Sequence, residues 1–278
     1  MVAATSSRQS GTRIYRHGLI TRITHWINVV CMTVLLMSGL QIFNAHPALY
    51  LGKASDFDHP IAALGAEDAG NGQLRGITSI GGIELNTTGF LGASTGTDGG
   101  IEARGFPAWA TLPSDEWLAL GRRWHFFFAW LFVVNGMVYA SFTIVSGRLR
   151  RELVPSLGDL KHIPASIAEH IRLRFPKGEA ARHYNVLQKL AYLIVAFGVG
   201  PLILLAGMTM SPGFDAGMPW LVDLFGGRQT ARTIHFVCAF AFLGFVVIHL
   251  VMVLVSGVWN NLRSMITGWY DIGVSHDR

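Results

Sequence analysis

The sequence predicts an all-α membrane protein built as a four-helix bundle, with one long polar connection between the first two helices. Three observations carry that expectation. Of 278 residues, 51% are hydrophobic and only 14% are charged, and the mean hydropathy is positive at +0.39. That composition suits a polytopic membrane protein rather than an ordinary soluble domain. Four runs of about twenty or more residues lack charge and are bounded by arginine or polar segments, the length a bilayer core of about 30 Å requires. Lysine and arginine are shared unequally between the connections, as topology demands of a membrane protein.

Residues 1–22 carry Arg8, Arg13, Arg16 and Arg22 with no acid and read as a cytoplasmic tail. Met1–Ser10 has no apolar core, so no cleavable signal peptide is expected. Residues 23–44 read as the first span. Residues 45–120 form a Gly-rich connection, with three basic residues (Lys53, Arg75, Arg104) against nine acidic ones in 45–119. Its apolar periodicity is weak, so it is expected as a long loop that orders against a partner. Ser114, ahead of Asp115 and Glu116, reads as the N-cap of the next helix. Residues 121–147 read as the second span. Residues 148–186 form a basic connection, within which Ile163–Phe175 reads as an amphipathic surface helix. Residues 187–210 read as the third span, with Pro201 expected to kink it. A short connection at 211–230, a fourth span at 231–258 and a tail at 259–278 complete the chain, which shows no internal repeat and no reason for division into two domains.

Four spans put both termini on one side. That side, with residues 148–189, holds fifteen of the Lys and Arg residues and the other side seven. The positive-inside rule then places both termini in the cytoplasm, with 45–120 outside. In a bacterium that makes this an inner-membrane protein with a periplasmic loop. The net charge of +5 is thereby assigned to topology, not to nucleic acid.

The fourth span holds the sharpest signal. Thr233–Leu262 has no charged residue yet contains His235 and His249. Fourteen residues are just under four helical turns, so the rings share a face roughly 21 Å apart along the axis. An ionisable side chain in a span is a functional hypothesis. Of eleven histidines, His17, His46, His59, His162, His170, His183 and His276 fall in tails, loops or rims and read as ordinary surface histidines. His25, His125, His235 and His249 fall within spans. Depth pairs His25 with His249 near the cytoplasmic face and His125 with His235 near the periplasmic face. Two imidazoles at one level on facing helices suit the two axial positions of a haem iron. Zinc would want further Cys or acidic ligands at those depths, and there are none. Cys31 and Cys238 form neither a CxxC nor a CxxCH motif, which argues against an iron–sulfur cluster or covalently attached haem. Arg22, Arg122, Arg123 and Arg232 stand beside these histidines as candidate partners of haem propionates. Gly39, fourteen residues after His25, is a candidate for making room for the second porphyrin.

RITHWIN, LLMSGLQIF, RRWHF and RTIHF…VIHLVMVLVSG resemble the prokaryotic cytochrome b561 superfamily of four-helix dihaem proteins, which includes cytochrome b subunits of nickel–iron hydrogenases and gamma subunits of formate dehydrogenases. NAHPALYLG, YNVLQKLAYL, GMTMSPG and NNLRSMITGWY resemble its thiosulfate-reductase-like branch. The resemblance implies two non-covalent haems b with His25, His125, His235 and His249 as iron ligands, paired as depth pairs them. It also implies exchange of electrons with membrane quinone, for which Asn28, Tyr184, Gln188 and Asn260 are candidate contacts. It further implies a periplasmic, molybdopterin-dependent oxidoreductase as partner, so the chain is expected to be an electron-transfer subunit rather than a complete enzyme. The alternatives are a stand-alone quinone oxidoreductase acting on a small periplasmic species such as superoxide, and a non-redox scaffold or transporter with buried histidines.

Overall fold

The computed structural model describes residues 13–70, 72–172 and 185–272. A short strand β1 (Arg13–Tyr15) precedes helix α1 (Leu19–Asn44). Five strands separate it from the next long helix beyond the two-residue β2 (Ala48–Leu49): β3 (Ala62–Gly70), β4 (Gln73–Ile80), β5 (Ile83–Asn86), β6 (Ala93–Thr95) and β7 (Ile101–Ala103). Helix α2 (Leu118–Val145) follows, then a π-helical turn at Leu149–Leu153 and the short helices α3 (Leu157–Lys161) and α4 (Ile163–Ile171). Helices α5 (Val186–Leu193) and α6 (Gly200–Met208) are joined through a π-helical segment at Ile194–Val199. The chain continues with α7 (Pro212–Gly217), α8 (Pro219–Leu224), α9 (Arg228–Val255), α10 (Val258–Thr267) and β8 (Trp269–Asp271).

Four helical segments are long and apolar enough to cross a membrane: Leu19–Asn44, Leu118–Val145, Val186–Met208 and Arg228–Val255. Their Leu, Val, Phe and Ala runs suit the bilayer, and the helix pairs the backbone N–H and C=O groups within each segment, which a bilayer requires. Each begins between one and four residues before the position hydropathy alone gave it. The second starts at Leu118, after Ser114 rather than on it, and has no acid in its first turn. The Ser114 carbonyl instead accepts from Arg104 Nη2 at 2.7 Å. The third span breaks register before its proline. The π segment ends at Val199, and Pro201 sits in the first turn of α6, where a missing N–H costs least. Ile163–Ile171 is helical, as far as the described residues of the expected amphipathic helix go.

The connection after α1 is not a structureless loop. β2, β3, β4 and β5 form one antiparallel sheet in that order, and β6 pairs with β7. The turns are glycine turns: Gly70 and Gly72 between β3 and β4, Gly81 and Gly82 between β4 and β5, all at positive φ. The two-residue Gly81-Gly82 loop suits the β4–β5 hairpin because positive φ at both positions matches the strand twist. β4 is buried on both faces at Gly76, Ile77 and Thr78, and a Cβ on Gly76 would lie 2.3 Å from the Leu91 carbonyl oxygen. The chain is thus helical in its spans and β in this segment, a correction to an all-α expectation.

The chain divides into two compact units, also against the expectation of an undivided chain. One comprises Met1–Trp26, Gly136–Gly198 and Leu243–Arg278; the other comprises Ile27–Asn135 and Val199–Phe242. The second is built on Phe43, Leu49 and Phe106, packed by Leu40, Ala62, Leu64, Leu91 and Phe236. Its sheet is tied to α1 by Asn44, whose side chain donates to the Phe106 carbonyl (3.1 Å) and accepts from the Phe106 N–H (2.7 Å). In the first unit, β1 pairs with β8, and Trp26 Nε1 donates to the Met265 carbonyl at 3.0 Å. The chain's N-terminal strand and first helical turns are thereby bound to α10 and β8.

Candidate functional site

Each unit holds one pair of facing histidines. In the first, the rings of His25 and His249 have centroids 6.3 Å apart at an interplanar angle of 57°. In the second, those of His125 and His235 are 6.1 Å apart at 63°. One metal bonded at about 2 Å to a nitrogen of each ring, as imidazoles bond first-row metals, sets centroids about 6.3 Å apart. Both pairs therefore fit one iron between two rings. No cluster of three or more His, Cys, Asp or Glu suited to a metal occurs among the described residues, so the donor set is two imidazoles per site. That suits an iron whose other ligands come from a porphyrin.

The second unit shows how the rings are oriented. His125 Nδ1 lies 3.1 Å from Ser38 Oγ. Ser38 spends its own hydrogen on the Val34 carbonyl at 2.6 Å, the hydroxyl–carbonyl back-bond of a helical serine. Its oxygen then accepts, and His125 carries its proton on Nδ1. His235 Nδ1 lies 2.8 Å from the Ile203 carbonyl, which can only accept, so His235 is protonated there too. Both rings are left with Nε2 lone pairs free for a metal, the arrangement in which outer partners fix the tautomer of a ligand histidine.

Two glycines allow these approaches. A Cβ on Gly207 would lie 3.0 Å from His235 Cε1 and 3.1 Å from Nδ1. Gly207 stands one helical turn after Ile203, so its bare backbone lets the ring reach that carbonyl. A Cβ on Gly39 would lie 3.4 Å from His125 Cε1; Gly39 thus packs directly against a histidine ring. In the first unit, His249 stacks on Phe245 (6.0 Å, 19°) and His25 stands edge-on to Trp26 (5.4 Å). His25 Nδ1 is buried without a hydrogen-bond partner.

The arginines differ in what they do. Arg232 reaches back to the carbonyls of His46 and Ala48 and lies over the Phe43 ring at 5.4 Å. Arg22 Nη1 donates to the Ile266 carbonyl while its Nε is buried without a partner. Arg122 lies over Phe126 at 5.6 Å, and it and Arg123 are exposed. Among the candidate quinone contacts, Asn28 Oδ1 accepts from Asn135 at 2.7 Å. Gln188 closes the capping box of α5. Asn260 bonds Arg263 and both backbone groups of Asp271. Tyr184 lies outside the described residues. Sequence reasoning missed Ser38 and Gly207; a small residue at either place is common in spans for packing alone, so nothing marked them before their neighbours were known.

A family model described as prokaryotic cytochrome b561 matches residues 16–67 and 87–268. The chain is also similar to a putative protein-methionine-sulfoxide reductase subunit, YedZ1, of Azospira oryzae, with 28% identity over 249 residues, 89% of this chain and 93% of that one. No solved structure matches.

Proposed function

The chain belongs to the prokaryotic cytochrome b561 family, and on that premise we propose that it is the membrane dihaem cytochrome b subunit of a respiratory oxidoreductase, carrying electrons between the quinone pool and a periplasmic, molybdopterin-dependent partner. The observation that carries the reading is the pair of histidine pairs, each spaced for one iron. Haem would supply reversible one-electron chemistry at each. The chain's own residues do the rest. His25 and His249 would hold one iron, and His125 and His235 the other. Ser38 and the Ile203 carbonyl hold the Nδ1 protons of the second pair, which leaves both Nε2 atoms free to take a metal. The apolar spans exclude water and set a low dielectric around both sites, which tunes potential.

The Azospira relative is named as a subunit of a reductase, which favours flow from quinol through the chain to the partner. Each quinol would deliver two electrons and release two protons. An oxygen-removing partner would consume two electrons and two protons and yield water. The 45–120 segment, folded and acidic in balance, would face that partner in the periplasm. Quinone would bind near the His25–His249 site, with Asn28, Gln188, Tyr184 and Asn260 as candidate contacts.

The purified chain should show two haems b per polypeptide by pyridine haemochromogen, and His249→Ala and His235→Ala should each retain one. Anaerobic quinol should reduce both haems of the wild type without a partner present. A chain with no haem, or an unchanged haem count in both variants, would sink the proposal.

A further inference from the structure

Among the described residues, six buried side-chain atoms lack a hydrogen-bond partner: His17 Nδ1, Arg22 Nε, His25 Nδ1, His46 Nε2, Gln229 Oε1 and Arg263 Nε. Native proteins leave few such atoms, and each calls for an explanation. Two are ring nitrogens of histidines outside the spans, and each stands beside an arginine close to one of the two histidine pairs.

In the first unit, His17 precedes α1, Arg22 lies in its first turn and His25 is one turn further. The charges of Arg16, Arg148 and Arg22 all reach the His17 ring. Its backbone is held by the Gly268 carbonyl at 3.3 Å, and Arg22 is held by Ile266. In the second unit, His46 follows the end of α1. Its ring stacks on Tyr50 (5.6 Å, 20°) and meets Phe57 edge-on (5.6 Å). Arg232 bonds the His46 carbonyl and stands one turn before His235. Neither Arg22 nor Arg232 has a carboxylate partner among the described residues.

Each of these two histidines has a buried ring nitrogen with no partner inside the protein, and an imidazole in either protonation state can offer an N–H. An imidazole N–H next to a guanidinium that bonds only carbonyls recognises a carboxylate: the arginine supplies the charge and the ring a directed hydrogen bond. The same pairing recurs once per candidate haem site, and a haem brings two carboxylates with it. We propose that His17 with Arg22 and His46 with Arg232 anchor the propionates of the two haems, His17 at the His25–His249 site and His46 at the His125–His235 site. This rests on the dihaem reading.

The test is a spectroelectrochemical titration of the purified holoprotein, with haem counted by pyridine haemochromogen. His17→Ala and His46→Ala should keep two haems yet each lower the midpoint of a different one. Loss of the donor leaves more negative charge beside the iron and favours the ferric state. His249→Ala, which should lack the first site's haem, assigns each midpoint. His17→Gln and His46→Gln, which keep an N–H donor, should return both midpoints toward the wild-type values. If an alanine variant loses its haem and the glutamine variant keeps it, the proposal also stands. Two haems with unmoved midpoints in both alanine variants would overturn it. So would loss of haem in the glutamine and alanine variants alike, because the ring would then act by packing. A wild-type chain without haem would instead fail the dihaem reading itself.

Discussion

Ser38 and Gly39 on α1, and Ile203 and Gly207 on α6, fix how two histidines face each other. Each ring needs an acceptor for its Nδ1 proton and a bare surface to lie against. The two glycines are unequal, and the difference is testable. A methyl group at Gly207 would meet His235 at 3.0 Å, tighter than packed carbons adopt, while one at Gly39 would meet His125 at an ordinary 3.4 Å. Gly207→Ala should therefore displace the His235 ring from the Ile203 carbonyl and cost the protein one haem during purification. Gly39→Ala should keep both, as the haemochromogen ratio would show. Ser38→Ala removes the acceptor but not the space, and losses of such partners typically weaken metal-site affinity about 10–100-fold. If two haems are bound as proposed, transfer to excess apomyoglobin should be faster for one of them and unchanged for the other. The four span histidines were legible in the sequence because charge-free segments make an imidazole conspicuous. Their supporting residues were not, because Ser, Gly and a backbone carbonyl look the same in any span until the helices are set side by side.

At the level of elements, the spans were readable from hydropathy and the sheet was not. The 62–86 segment contains strand-length runs and glycine turns, but its strands β3 and β5 are largely exposed, so no alternation of apolar and polar residues announces them. Its composition reads as a loop, and its order comes from strand pairing; the stretch that follows it, up to α2, is held by one buried ion. Arg104 has a side chain only 1% exposed. Its Nε donates to the Phe106 carbonyl at 2.8 Å, and its Nη2 to Thr111 Oγ1 at 2.8 Å and to the Ser114 carbonyl. It also approaches Gln41 of α1 and Glu102 of the β6–β7 hairpin at 3.4 Å. One guanidinium thus joins the last hairpin, the approach to α2 and the end of α1. Arg104→Ala would strand several buried acceptors, and each such loss costs about 1–3 kcal/mol. The variant should make residues 93–114 sensitive to protease at temperatures where the wild type resists, with the spans retained. Arg104→Lys should recover little, since an ammonium cannot span the same fork of acceptors. Equal protease resistance of Arg104→Ala and wild type would show that the β6–β7 hairpin and the approach to α2 hold without this residue.

For the whole molecule, the unequal distribution of charge remains the argument for orientation. Fifteen of the Lys and Arg residues belong to the tails and the 148–189 connection, while nine acids crowd the 45–119 segment. Lys and Arg near span ends hold a connection on the cytoplasmic side. The direction of electron flow proposed above depends on this orientation, because a partner at the folded acidic segment must lie outside if quinol is to feed it across the membrane. Single cysteines can read it directly. The two native cysteines are buried, Cys31 fully and Cys238 to 6% exposure, so background labelling should be low. Glu84 lies on exposed β5 and Arg150 is exposed beyond the end of α2; neither belongs to a histidine site. In intact cells with a permeabilised outer membrane, a membrane-impermeant maleimide should label Glu84→Cys and leave Arg150→Cys untouched. Opening the inner membrane should make the two label alike. The reverse pattern would place the sheet in the cytoplasm, and the partner would then have to be sought on that side.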